Sequence, residues 1–99
     1  MCSSDLDKMG KSTLYQSAHV LLGLNAFEPG QSHALHAHAG MDKVYVVVEG
    51  EGLFLLEGRS LPMRAGDVLV APDGIPHGVE NNSRARLLVM ALLAPAPAH

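Results

Sequence analysis

The chain has 99 residues, 47% of them apolar and 17% charged, with a formal net charge of −3. That length is one domain with a real but shallow core, and singly scattered Lys and Arg offer no positive field for nucleic acid. No apolar run approaches the about 18 residues of a membrane span, the single Cys2 closes no internal disulfide, and the polar start lacks the pattern of a signal peptide, so a reduced, cytoplasmic setting is the expectation.

Residues 1–14 show no sustained period and read as a tail, an arm or a short edge segment, ahead of a domain over 15–94 and a tail over 95–99. Ser17–Phe27 (SAHVLLGLNAF) is a mainly apolar run with no breaker except Gly23 and predicts a buried strand. Glu28-Pro29-Gly30 ends it with the fixed φ and left-handed position of a tight turn. A short segment follows over His33–His38. Lys43–Glu49 (KVYVVVE), β-branched and aromatic, is the strongest strand signal. Gly50 and Gly52 turn into a strand over Leu53–Leu56. Pro62 confines Ser60–Arg64 to a sheet edge. Gly66-Asp67 turns into Val68–Ala71, and Pro72-Asp73-Gly74 leads to a short strand over His77–Glu80. Asn81-Asn82 reads as a hairpin corner, since Asn tolerates positive φ, and Arg84–Leu93 is the last strand. No stretch keeps a helical period. Short strands between Gly and Pro turns predict an all-β sandwich or barrel.

Six histidines stand out, three of them within 33–38. His36 and His38 are two apart, so on an extended segment both face one way. His77 opens a later strand. Convergence on one metal ion is one reading, and chance spacing is the other. In a continuous strand His33 faces the opposite way, so it reads as a surface residue, like His19 and His99.

From Gly30 the chain runs five residues to His36, one more to His38, and on through KVYVVVEG to Gly50. From Gly66 it runs five residues to Pro72, one to Gly74, two to His77 and three to Asn81. These stretches resemble the two motifs of the cupin superfamily, the second at every fixed position. With the fifteen residues between them, they carry the resemblance over about residues 18–93. The resemblance implies a double-stranded β-helix (jelly-roll) barrel. It also implies His36, His38 and His77 as ligands of a divalent transition metal (Fe, Mn, Ni, Zn or Cu). One position departs. Counting back from Gly50, the family's Glu falls on Lys43, and an ammonium has no lone pair to give. Asp42 faces away on a regular strand, unless a bulge or the loop over 39–41 re-aims it. Three arrangements stay open: three His completed by water or ligand, three His with Asp42, or a pocket of neutral His without metal.

Lys43, Tyr45, Phe54 and Met90 are the candidate pocket residues. Lys43 and Tyr45 share a parity, but an inward Lys43 is costly unless paired, so the outward arrangement is the cheaper one. The resemblance implies a small metal-dependent enzyme, of oxygenase or isomerase type, acting on a small polar organic molecule. A non-catalytic ligand-binding or sensor module is the other reading. Open sheet edges predict a homodimer, with Leu14 and Tyr15 on the arm that joins a partner.

Overall fold

A computed structural model describes residues 10–37 and 39–95. His38 and the segments 1–9 and 96–99, with Cys2 and His99, lie outside the described residues. The described chain forms nine strands and no helix: β1 (Gly10–Gln16), β2 (Leu21–Phe27), β3 (Ser32–His36), β4 (Asp42–Glu49), β5 (Glu51–Leu56), β6 (Arg59–Arg64), β7 (Val68–Ala71), β8 (His77–Glu80) and β9 (Leu87–Ala94). They make a five-stranded sheet, β1-β2-β9-β4-β7, and a four-stranded sheet, β3-β8-β5-β6, with antiparallel pairing throughout. The two sheets face each other as a double-stranded β-helix, the fold expected from the motifs.

Alternation along each strand decides what fills the core. On β4, Tyr45 and Val47 point inward, and on β9 Leu87, Val89 and Ala91 do the same. They meet Phe54, Met63 and Val79 of the second sheet. The other face of the five-stranded sheet is apolar too. Two cross-strand rows run over it: Leu24, Met90, Val46 and Val68, then Leu22, Leu92, Val44 and Val70. A sheet apolar on both faces explains why KVYVVVE and LLVMALLA read as nearly unbroken apolar runs.

Two expectations change. The apolar run from Ser17 is not one strand: the Ser17 hydroxyl accepts from the His19 and Val20 amides at 3.1 and 3.3 Å, and this turn delays β2 to Leu21. Of the stretch over 1–14, read as a tail, an arm or a short edge segment, the described part from Gly10 is an edge strand, because β1 pairs with β2 of its own chain. Asn81-Asn82 is not a hairpin corner. No described residue other than Gly has positive φ, and β8 and β9 belong to different sheets. Pro62 does lie on an edge, since β6 ends the second sheet.

Asn81 instead fastens this crossing between sheets. Its side chain is fully buried and donates to the carbonyls of Phe27 and Ala85, both at 2.8 Å. Its Oδ1 accepts from the amide and hydroxyl of Ser83. Truncation strands these buried groups, so Asn81→Ala is expected to cost about 3 kcal/mol. The check is a lower midpoint of chemical unfolding with an unchanged denaturant slope.

Candidate functional site

His36 closes β3 and His77 opens β8, and the two are direct partners in register. Their ring centres are 4.5 Å apart, with planes at 52°. Each ring is aimed by its own backbone. His36 Nδ1 lies 2.9 Å from the Ala34 carbonyl, and His77 Nδ1 lies 2.9 Å from the Ile75 carbonyl. A carbonyl oxygen only accepts, so Nδ1 carries the proton in both rings and Nε2 carries the lone pair of the neutral imidazole. Pro76 holds Ile75 extended, and the Ile75 amide closes a turn on the Pro72 carbonyl at 3.0 Å. This presents the Ile75 carbonyl to the ring two residues on.

His33 joins them, against the sequence expectation. Its ring centre is 4.2 Å from that of His36, with planes at 31°. The register slips between the pairs His33↔Val79 and His36↔His77, three residues on β3 spanning two on β8. That bulge turns both side chains to one face. His33 Nδ1 is buried without a hydrogen-bond partner. Burial, then electrostatic repulsion of a second positive charge by the neighbouring His36, Lys11, Lys43 and His77, pushes its pKa down to about 4, so the ring is neutral near pH 7. The signal in the sequence was the crowding of three His into 33–38. Strict parity hid it.

Lys43 points inward, where the outward arrangement was expected. Tyr45 and Val47 commit the parity of β4 to the core, and Lys43 shares it. The side chain is 5% exposed, and Nζ lies 4.9 Å from the centre of the Tyr45 ring, whose face partly offsets the lost hydration. Burial first, then Lys11, lower its pKa to about 8, which leaves it largely charged at pH 7. Tyr45 stands edge-on to Phe54 at 5.7 Å and to His77 at 5.9 Å. Its hydroxyl is buried with no hydrogen-bond partner, and burial pushes the phenol up from its usual range.

Phe54 is core, 2% exposed. Met90 lies on the opposite face of its sheet, because Val89 and Ala91 take the inward positions. Asp42 is exposed, and its Oδ1 accepts from the Asp73 amide at 2.8 Å. Asp73 Oδ1 in turn accepts from the Gly40 amide at 2.7 Å. These two bonds clasp the loop before β4 to the turn before β8, the connections flanking His36 and His77. Among the described residues, no three His, Cys, Asp or Glu side chains stand in a geometry that could hold a metal ion; His38 is outside that set. A groove along β5 and β6, lined by Glu51, Pro62, Arg64 and Asn82 among others, contains none of the imidazoles.

The chain belongs to the cupin domain family (Cupin_2), which residues 23–91 match. It is 31% identical over 85 residues to an oxalate-binding protein of Thermotoga maritima, covering 86% of this chain and 69% of that protein. Over 76 residues it is 33% identical to a gentisate 1,2-dioxygenase of Ralstonia; the match spans 74% of this chain but 21% of that enzyme. The crystal structure of TT1209 from Thermus thermophilus superposes with a TM-score of 0.86 at 39% identity, covering 91% of this chain and 86% of that one.

Proposed function

We propose that this cupin holds a divalent transition metal through His36, His38 and His77 and takes a small organic acid at the positions left open. The observation that carries the reading is the pair of Nδ1 protons fixed on backbone carbonyls, the support that metal-binding histidines usually have. The spacing fits as well. A nitrogen bound at about 2.1 Å puts its ring centre roughly 3.2 Å from the ion, so two rings about 90° apart sit about 4.5 Å from each other. The rings of His36 and His77 are 4.5 Å apart. Water or ligand completes the set. Asp42 is the alternative donor through its second oxygen, the first being engaged by Asp73. A divalent ion there supplies Lewis acidity, and a redox-active one supplies electrons to O₂ chemistry.

The small-acid ligand is supported by the relatives, named for oxalate and gentisate. Of the two readings, the metal-dependent enzyme of oxygenase or isomerase type is supported by the gentisate dioxygenase, and a binding module without turnover by the oxalate-binding protein. Elemental analysis of tag-free protein tests the metal: near one transition-metal ion per chain is expected, and trace content after metal loading contradicts it. O₂ uptake with each acid then separates oxygenase turnover from Lewis-acid chemistry, and product formation without O₂ uptake separates isomerisation from binding alone.

We also infer a homodimer, formed by the outer face of the five-stranded sheet. β1 is already paired with β2 of its own chain, so the sheet face is a better joint than an exchanged arm. Val68 and Val70 are 59% and 53% exposed, and the two apolar rows carry no charge. Among the described residues of this face, charged groups stand at the ends, the Arg86–Glu49 pair at 3.4 Å and Asp42, and Ser12 and Tyr15 of β1 border the rows. Five strands about 4.8 Å apart and six or seven residues at about 3.3 Å make roughly 500 Å² of flat sheet. Corrugated by side chains, this approaches the about 800 Å² per partner of a standard interface and exceeds what most monomers leave bare. An uncharged face with a polar rim complements its own copy across a two-fold axis. Sedimentation at micromolar concentration is expected to give a dimer, and Val46→Glu, in the middle of one row, to weaken it at least about 100-fold by burying paired like charges. A wild-type monomer at tens of micromolar contradicts the inference.

A further inference from the structure

One buried cation, Lys43, stands inside the barrel without an anion to answer it. Lys43 is 5% exposed, and among the described residues no carboxylate pairs with it; the described ion pair, Arg86–Glu49, is on the outer rim. Lys11 stands opposite Asn25 in register and adds its positive charge to Lys43 and His33. A second feature points the same way. The Tyr45 hydroxyl, on a residue with no exposure, has no acceptor. A buried ammonium and a buried hydroxyl, both wanting an acceptor, lie on one strand at the same parity, with the ammonium over the phenol ring. The inner face is thinly furnished alongside: Tyr45 is next to Ala91 and then Gly23 across the sheet.

We propose that Lys43 and Tyr45 form an anion subsite that binds the carboxylate of a small organic acid, Lys43 Nζ and the Tyr45 hydroxyl both donating to its oxygens. This deepens the reading above by naming what holds the acid end of the ligand, and it rests on that reading only for the other end. Lys43 places a buried positive charge near His33, and the carboxylate it lacks among the described residues then comes from the ligand. Lys43 meets this need as a strongly attracting ammonium donor, and Tyr45, lacking charge, orients the group.

The test is calorimetric titration of oxalate, with uncharged oxamide as control, into chelator-treated and metal-loaded protein. Oxalate is expected to bind the metal-free chain and oxamide not to bind. Lys43→Met is expected to lower oxalate affinity at least tenfold in both forms while metal uptake is unchanged, and Tyr45→Phe to lower it about threefold. Without ligand, Lys43→Met is expected to melt at the same or a higher temperature, because it removes a buried charge that has no partner in the free protein. That readout separates ligand recognition from a structural role, which a lower melting temperature would reveal. Undiminished oxalate binding by Lys43→Met, or equal binding of oxamide, overturns the subsite and leaves the metal reading standing. Binding lost in Lys43→Met, in a protein that takes up no metal, leaves the subsite standing and removes the metal.

Discussion

His77→Ala is expected to abolish metal uptake: content falls from near one ion per chain to trace, and affinity falls at least about 100-fold, beyond the 10–100-fold loss that follows when a supporting partner of a ligand is removed. His36→Ala behaves alike. The two rings are adjacent in register and each is aimed by a carbonyl two residues earlier, so neither can take over for the other. His19→Ala is the control. That residue is exposed in the turn before β2, and its backbone amide, not its ring, bonds Ser17. It should bind metal like wild type. Because His77 is 1% exposed among core side chains, its replacement also needs a folding check, for which strand-type circular dichroism and a cooperative melt suffice. Equal metal content in wild type, His36→Ala and His77→Ala contradicts the site.

Gly50→Ala is expected to give the largest loss of stability. Gly50 joins β4 to β5 at φ 86°, a left-handed conformation that costs an Ala about 1–2 kcal/mol. The larger cost comes from its surroundings. A Cβ at Gly50 would run into the Arg86 carbonyl oxygen and lie 3.2 Å from Leu87 Cα, both backbone atoms at the start of β9. They cannot swing aside as a flexible side chain could. β9 pairs with both β2 and β4, so shifting it disturbs the centre of the larger sheet. A total near 4 kcal/mol is expected, with a melting temperature lower by about 15–30 °C at the roughly 4–8 °C per kcal/mol of a domain this size. Gly58→Ala separates the two contributions. Gly58 has φ 78° but open space around it, so only the conformational part, about 1–2 kcal/mol, should appear. Equal losses at the two positions would show that the close approach to Arg86 contributes nothing.

Much of this architecture was legible because glycines and prolines punctuate it. Pro62 marked an edge, Gly66-Asp67 marked a turn, and the alternation of KVYVVVE placed Tyr45 and Lys43 on one face. What parity could not show was where pairing slips. The bulge in β3 carries His33 into the imidazole group, and no residue type in SHALH announces it. Ser17 was hidden for a related reason: its hydroxyl bonds local amides and interrupts a run that is apolar on either side. Lys43 was misjudged by weighing its own desolvation alone. The core demand of Tyr45 and Val47 on the same strand outweighs that cost, and the Tyr45 ring returns part of it. Asn81 suggested a corner by its composition. Its buried side chain works as a tie between sheets, which only the three-dimensional neighbours Phe27 and Ala85 reveal.

Anomalous diffraction from crystals of the metal-loaded protein bears most directly on the central claim. The account predicts one strong peak about 2.0–2.2 Å from Nε2 of both His36 and His77, inside the barrel and within reach of His38. A map with no peak between those nitrogens, or a peak held only by surface side chains, contradicts it.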